Sequence, residues 1–414
     1  MHITIFVYGS WGDMRPHVVL GQGLQAAGHS VQVVASRTYE DWVRARGLGF
    51  SPLSVDVSAF TRDNASMMDL GLLQQLKLLR ETISPLFAQI GRETLEATRD
   101  SDVLMTVELG AVLFFDILRV NPLRTILINP APLNPTREFA MALPPAPGWF
   151  PFKGRYNRFS YSVLRRVGWS SLGNSMKVMA AELGVPKSKF RECRAFLDQT
   201  PALTAVSRHV VQRPADWAEH FQVTGYLFDD DPDWMPLPGL AEFLAAGEPP
   251  VYMGFGSMPD SKPEATTRLI LDAVQQAGKR AVILTGWAGL GVDDAPGHVH
   301  ILNYAPHSWL FPKMATVVHH GGSGTTAAGL RAGVPAVIVP HLGDQPFWGR
   351  RIKELEVGPG PIPRKKLTAQ KLAAAIRAAT ESSAMRDRAL ALSENIKQED
   401  GLGSAMQWVQ RFLA

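Results

Sequence analysis

The residues best suited to chemistry lie within 304–351. An apolar run ends in His319-His320, continues as Gly321-Gly322-Ser323-Gly324-Thr325-Thr326, and passes into a helical pattern. Glycine lets a backbone approach a ligand closely, and the free N–H groups that open a helix favour an anionic oxygen. Ser323, Thr325 and Thr326 can cap that helix or donate to a phosphate, although a capped turn that binds nothing has the same composition. One strand later, Asp344 and Gln345 open another helix. Asp at such a place is often only an N-cap, but an adjacent carboxylate and amide also grip vicinal hydroxyls. Near the N-terminus, Asp13 follows the first apolar run on a glycine-containing loop. It either caps a helix beginning near Arg15 or takes a proton. The second role requires burial or a neighbour to lift its pKa from the ordinary value near 3.9. His17, four residues on, is a rival base. Glu108 follows an apolar run at 103–107 and either orients a bound molecule or is simply solvated.

These side chains need a frame. Residues 3–8 form a short apolar run ending at glycine, the pattern of a buried parallel strand. The loop 9–16 leads to a helix over 17–27, with Gly28 at its C-terminal stop, and a second strand follows at 31–35. Further strands are expected at 103–107 and 125–129 with a helix at 109–118 between them. From 129 to 158 the pattern breaks into a loop with seven prolines and with Trp149, Phe150 and Phe152. A long loop of this kind after a strand is usually functional. A second series of strands runs 251–254, 281–285, 298–302, 315–319 and 336–339, with helices at 264–277 and 325–332. Alternation of this kind predicts two doubly wound parallel sheets. The Asp-, Pro- and Gly-rich stretch 225–240 between the series has a linker composition. The expected division is 1–226, a linker at 227–245, and 246–414, with the last helix, about 403–414, packing back on the first domain. Ligands would bind in the cleft between the two.

Composition narrows the function. With 46% hydrophobic and 19% charged residues the chain reads as globular, and a formal charge of +4 over 414 residues does not suggest a protein that wraps a polyanion. A basic cluster at Lys153, Arg155, Arg158, Arg165 and Arg166 is either a solvated surface or a contact for an acidic membrane surface. The lone Cys193 excludes an internal disulfide framework and a cysteine zinc site, and the start MHITIFVYGS lacks a signal-peptide pattern. No run of about 18 apolar residues appears. The expected location is cytoplasmic, with peripheral membrane contact through the basic cluster. Aspartates at 229, 230, 231 and 233 are spaced like a metal-binding DxD but sit in the linker. The histidines at 298, 300, 307, 319, 320 and 341 lack chelating spacing. No metal is expected. Gly21 and Gly23 fall inside a helix pattern rather than on a dinucleotide-binding turn.

The spacing of the glycine turn and Asp344-Gln345 resembles the donor-binding signature of the family-1 glycosyltransferases of GT-B fold. In HHGGSGTTAAGLRAGVP and DQPFWGRR the chain is most similar to the bacterial sterol, macrolide and glycopeptide branch. The loop Gly9-Ser10-Trp11-Gly12-Asp13-Met14-Arg15-Pro16 also matches the family's first loop, so the resemblance covers essentially the whole chain. It implies an α/β protein of two Rossmann-like domains facing each other across a cleft. It also implies inverting transfer of a hexose, glucose first among them, from UDP-glucose or another nucleotide diphosphate sugar, without cofactor or metal. By position, His320 and the backbone of Gly322, Ser323, Gly324 and Thr325 would hold the diphosphate, with Ser257, Ser10 and Gly12 beside it. Asp344 and Gln345 would bind the sugar hydroxyls, and Tyr304 to His307 would cup the base. Asp13 would be the catalytic base, ahead of His17, with Glu108 assisting. Ala328 stands where plant members carry a ribose-binding glutamate, which leaves uridine and deoxythymidine donors open. Met67, Met68, Phe114, Trp149, Phe150 and Phe152 are candidate walls for an apolar acceptor such as a sterol, polyketide or flavonoid. A nucleotide-sugar epimerase of the same fold is the competing reading.

Overall fold

β1 (His2–Phe6) is buried at all but its first residue, and its side chains alternate between two separate cores. Ile3 and Ile5 enter one, Phe6 the other, as the two-residue period of a strand requires. The computed structural model describes residues 1–56, 74, 77, 81, 84–141, 143–231, 233–256, 258, 260–286, 289–290 and 295–413. The chain divides into two compact units. One comprises Met1–Asp63, Asp69–Phe228 and Asp400–Ala414, and the other Asn64–Met68 and Asp229–Glu399.

The first unit is built on β1, β2 (Ser30–Ser36), β3 (Gly49–Leu53), β4 (Val103–Thr106), β5 (Arg124–Asn129), β6 (Ala202–Thr204) and β7 (Phe221–Val223). They form one parallel sheet in the order β3-β2-β1-β4-β5-β6-β7. The order reverses between β1 and β4, so the loops leaving these two strands diverge and leave room for a ligand. Asp13 and Glu108 stand in the first turns of the helices that follow these loops. The second unit holds β8 (Val251–Gly254), β9 (Ala281–Leu284), β10 (Val299–Leu302), β11 (Thr316–His319) and β12 (Ala336–Ile338), in the parallel order β10-β9-β8-β11-β12. Its reversal falls between β8 and β11, whose following loops are Phe255-Gly256 and the His320 turn.

The helices depart from the sequence reading in several places. Helix α1 runs Trp11–Ala26, six residues earlier than expected. Ser10 and Asp13 form a capping box that stabilises the start, so the helix carries Pro16 inside it at the loss of one backbone hydrogen bond. The stop behaves as expected: Gly28 sits just beyond α1 with φ +90°. The helix anticipated at 109–118 is two, α2 (Glu108–Leu113) and Phe115–Val120, broken at Phe114. The proline loop ends earlier than expected, because α3, a helix of 30 residues, spans Lys153–Glu182 and is followed by α4 (Phe190–Gln199). In the second unit, α5 (Ser323–Ala332) and α6 (Gln345–Glu354) follow β11 and β12. The linker composition at 227–245 contains the helix Pro238–Ala245, with Leu240 buried.

The last helix, α7 (Gly401–Leu413), belongs to the first unit. Its Ala405, Trp408, Val409 and Leu413 complete the core that holds Ile3 and Ile5, while Leu402 and Met406 pack at Gly23 of α1. A Cβ on Gly23 would stand 3.0 Å from both side chains, and one on Gly401 would strike the Tyr226 carbonyl. Glycine permits both approaches. Among the described residues, no helix is long and apolar enough to cross a membrane.

Candidate functional site

In the first unit the chemistry centres on the start of α1. Asp13 Oδ2 accepts hydrogen bonds from the Ser10 amide at 2.9 Å and the Ser10 hydroxyl at 3.3 Å. Asp13 Oδ1 has no hydrogen bond to a described residue. Burial pushes the carboxyl pKa up, against the lowering effect of the bonds from Ser10. The residue is therefore both cap and candidate base: one oxygen fixes the helix start, the other is available. Gly9 is the reason the carboxylate fits. A Cβ there would lie 2.2 Å from Asp13 Oδ2, and the Gly9 carbonyl accepts from the Tyr39 hydroxyl at 3.0 Å.

His17 lies one turn further into the unit. Its Nδ1 pairs with the Asp13 carbonyl at 2.7 Å and must donate there, which leaves Nε2 as a bare lone pair. That nitrogen is buried and has no partner among the described residues. Burial lowers the ring to about 4, so it is neutral near pH 7. The side chain is buried whereas Asp13 is half-buried, which leaves Asp13 the more accessible of the two.

Glu108 is not a solvated loop residue. It opens α2, is buried, and receives Arg165 Nε on Oε1 at 2.8 Å and Arg165 Nη2 on Oε2 at 3.0 Å. Arg165 also reaches Asp198 at 2.6 Å. With both oxygens occupied, Glu108 is half of a structural ion pair, and Arg165 leaves the surface cluster in which the sequence placed it. Phe114 is likewise core: fully buried, edge-on to Phe6 at 4.4 Å. Trp149 and Phe152 are exposed, with Phe150 packed edge-on between them. Met67, Met68 and Ser257 lie outside the described residues.

In the second unit, β11 delivers His319 and His320 to the turn before α5. His319 Nδ1 accepts the Gly321 N–H at 3.1 Å, which steadies Gly321 at φ +90°. His320 is buried against two glycines. A Cβ on Gly322 would be 2.4 Å from its Nε2, and one on Gly256, at φ +58°, would be 2.9 Å from its Cε1. Burial, with smaller contributions from His341 and His307, pushes His320 down to about 3. The ring thus offers a neutral N–H and a lone pair, and its Nδ1 is buried without a partner among the described residues. Gly322 is the N-cap of α5 and makes no side-chain cap, so no side chain of the cap competes with an anion at that helix start.

The other expected donor residues are distributed around this turn's neighbours. Asp344 is the N-cap of α6 without capping it; its Oδ2 accepts the Trp348 indole N–H at 2.8 Å. Gln345 Oε1 accepts the amides of His341 and Leu342 at 2.8 and 3.1 Å, so this side chain braces its own loop. Tyr304 is exposed at the end of β10, and His307 stacks on Phe311 with ring centroids 4.3 Å apart. Ser10 caps α1, while Gly12, expected in the loop, lies in the first turn of α1, and Gly324 and Thr325 lie in the first turn of α5.

Two further residues pack around this turn without having been assigned to it by motif. His341 packs edge-on against Phe255 at 5.2 Å and is lowered by burial and Arg364 to about 4. Asp260 accepts from the Thr266 hydroxyl at 2.7 Å and from Arg364 at 2.9 Å, the second tying the loop after β8 to a residue 104 positions away. Only Trp348, one turn beyond Asp344, had a signal: residues four apart share a helix face.

Two parallel sheets, each with a strand-order reversal, one followed by a half-buried carboxylate and the other by a glycine turn whose helix start carries no side-chain cap, are the arrangement expected of a two-domain nucleotide-dependent transferase. Residues 3–101 match the glycosyltransferase family 28 N-terminal domain, and residues 268–400 the erythromycin biosynthesis protein CIII-like C-terminal domain. Sterol 3-beta-glucosyltransferase UGT80B1 of Arabidopsis thaliana is 32% identical over 429 residues, which covers all of this chain and 68% of that protein. A sterol 3-beta-glucosyltransferase of Emericella nidulans is 33% identical over 434 residues, but this chain spans only 30% of its length. In fold, the chain is similar to the glycotransferase of kitacinnamycin, with TM-score 0.72 at 18% identity over 100% of this chain and 99% of that one. It is also similar to VinC in complex with dTDP, with TM-score 0.66 at 16% identity over 100% and 99% of the two chains. The chain belongs to the family-1 glycosyltransferases of GT-B fold, enzymes that move a sugar from a nucleotide to an acceptor.

Proposed function

We propose that the chain transfers glucose from UDP-glucose to the hydroxyl of a sterol-like apolar alcohol, with inversion at the anomeric carbon. The observation that carries the reading is Asp13, a carboxyl raised by burial, with one oxygen fixed by Ser10 and the other without a hydrogen bond to another described residue. Raising a carboxyl above its ordinary range makes it a stronger acceptor for an alcohol proton. The acceptor oxygen attacks the anomeric carbon as its proton passes to Asp13 Oδ1. The bond from that carbon to the diphosphate breaks on the opposite side, and UDP leaves with the electron pair. The developing charge is met by the amides that open α5 and by a neutral N–H of His320. His17 Nδ1 holds the Asp13 carbonyl and keeps the carboxylate's turn in place.

The sterol acceptor and the glucose rest on the names of the relatives, whereas the choice of uridine rests on the family resemblance, since the nucleotide bound to the similar VinC is dTDP. The half-buried Ala328 provides no carboxylate for the ribose. A sugar epimerase of this fold, the other reading open to the sequence, has no observation in its favour. The deciding experiment pairs Asp13→Asn with a donor–acceptor panel read by mass spectrometry. Turnover should fall by about 10²- to 10⁴-fold while UDP-glucose binding by calorimetry is kept. Wild-type turnover in Asp13→Asn, or isomerised sugar with no acceptor present, would end the proposal.

A further inference from the structure

The charge of this chain is unevenly distributed. Residues 153–199, from the start of α3 to the end of α4, carry ten Lys and Arg against three Asp and Glu, a net +7. Because the whole chain is +4, everything else together is −3. A field of one sign on one pair of helices is an electrostatic footprint for a polyanionic surface.

The first turns of α3 and the loop that leads into it display aromatic side chains that a water-facing surface does not need. Trp149 is 80% exposed, and Phe152 and Phe159 are each 58% exposed. Phe152 and Phe159 are seven residues apart, two turns of α3, and therefore stand one above the other on a single face, about 10 Å apart along the axis. The opposite face, with Asn157, Ser160, Tyr161 and Arg165, is buried in the unit. Lys153, Arg155 and Arg158 are all exposed, and none pairs with a carboxylate among the described residues. Arg155 lies 5.9 Å from the Phe152 ring. The pattern continues through Arg166, whose guanidinium sits over Phe190 at 4.9 Å and joins α3 to the basic start of α4.

We propose that this face of the first unit docks on an anionic lipid bilayer. Trp149, Phe152 and Phe159 enter the headgroup–acyl boundary, and Lys153, Arg155 and Arg158 meet the lipid phosphates. Rings with apolar bodies flanked by long basic side chains are suited to that boundary, where one end of the residue is dry and the other wet. Charge complementarity selects the anionic leaflet. Proteins that bind single-stranded nucleic acid stack bases on aromatics lining a basic groove. Here the rings protrude from the outer face of a helix, a geometry that wedges between lipids. The proposal does not depend on which donor or acceptor the enzyme uses.

The test is flotation of the full chain with phosphatidylcholine vesicles, with and without phosphatidylglycerol, at low and high salt. Binding is expected only with phosphatidylglycerol and is expected to fall at high salt. The triple variant K153Q/R155Q/R158Q should lose on the order of a hundredfold in partition, from about fivefold per charge. W149A/F152A/F159A should lose about tenfold or more while keeping the salt dependence. Melting followed by circular dichroism shows that both variants are folded. Failure of the wild-type chain to float with anionic vesicles would overturn the proposal, as would wild-type partition in both folded variants. So would retention of a single-stranded oligonucleotide in preference to vesicles.

Discussion

Replacing Glu108 by Gln keeps the side chain's shape and removes its charge, and the consequence follows from the geometry of Arg165. That guanidinium is 3% exposed and is held at 2.8 and 3.0 Å by Glu108 and at 2.6 Å by Asp198. Asp198 is 48% exposed, so solvent screens what it can return once Glu108 is neutral. Breaking a buried ion pair from one side costs about 3–5 kcal/mol, because the remaining charge stays buried without compensation. For a unit of this size each kcal/mol moves the thermal midpoint by roughly 2–4 °C, so the expected drop is roughly 6–20 °C. Differential scanning calorimetry reads this drop directly. Kinetics measured well below the transition should show kcat and KM close to wild type. The double variant Glu108→Leu/Arg165→Met removes both charges and should recover most of the loss. An unchanged midpoint with a collapsed kcat would refute the reasoning and return Glu108 to the reaction.

Three further outcomes are expected. Gly9→Ala places a Cβ 2.2 Å from Asp13 Oδ2, so kcat should drop while calorimetric UDP-glucose affinity holds; an unaffected kcat would show that the carboxylate need not stay where it is. His320→Ala removes a donor from the α5 turn and should weaken UDP binding by about 1.5–3 kcal/mol, roughly 10- to 150-fold. Gly322→Ala, whose Cβ would stand 2.4 Å from His320 Nε2, should act in the same direction, and full-strength UDP binding in both would remove His320 from the donor site. For pH, burial lowers His17 and His341 to about 4 and His320 to about 3. The unfolded chain takes up these protons near 6.5, so it binds more protons than the folded chain between that value and the lowered ones. Stability is therefore full above about pH 6.5 and lost below it, at about 1.4 kcal/mol per pH unit for each ring. Urea midpoints that stay flat across that window would contradict the burial of the three rings.

Much of the frame was legible because buried parallel strands announce themselves as short apolar runs. β1, β4, β8 and β11 all fall where the runs predict, and with them the loops that hold Asp13 and His320. The start of α1 was misjudged because Gly12 and Pro16 read as breakers, while the Ser10–Asp13 capping box that overrides them is a matter of side-chain geometry. Helix α3 was missed for a different reason. Its apolar positions face the unit at irregular spacing, and its other face mixes Phe with Arg, so the hydrophobic period is blurred. Glu108 illustrates a limit of reading by motif: its partner, Arg165, is 57 residues away, and no local pattern links them. Phe114 looked like a pocket wall because an aromatic residue near a strand end has the same sequence whether it lines a cavity or fills a core.

Helix α7 has a consequence for how the protein is made. The sheet of the first unit is synthesised before the second unit, yet Ala405, Trp408, Val409 and Leu413, which close its core, follow the whole of the second unit in the chain. The second unit, residues 229–399, has all its own strands in hand before the first unit is finished. The order of completion is thus the reverse of the order of translation, and the nascent first unit waits with the flank of α1 uncovered. A chain cut short before residue 400 would carry a complete set of candidate catalytic residues on a unit whose core is still open.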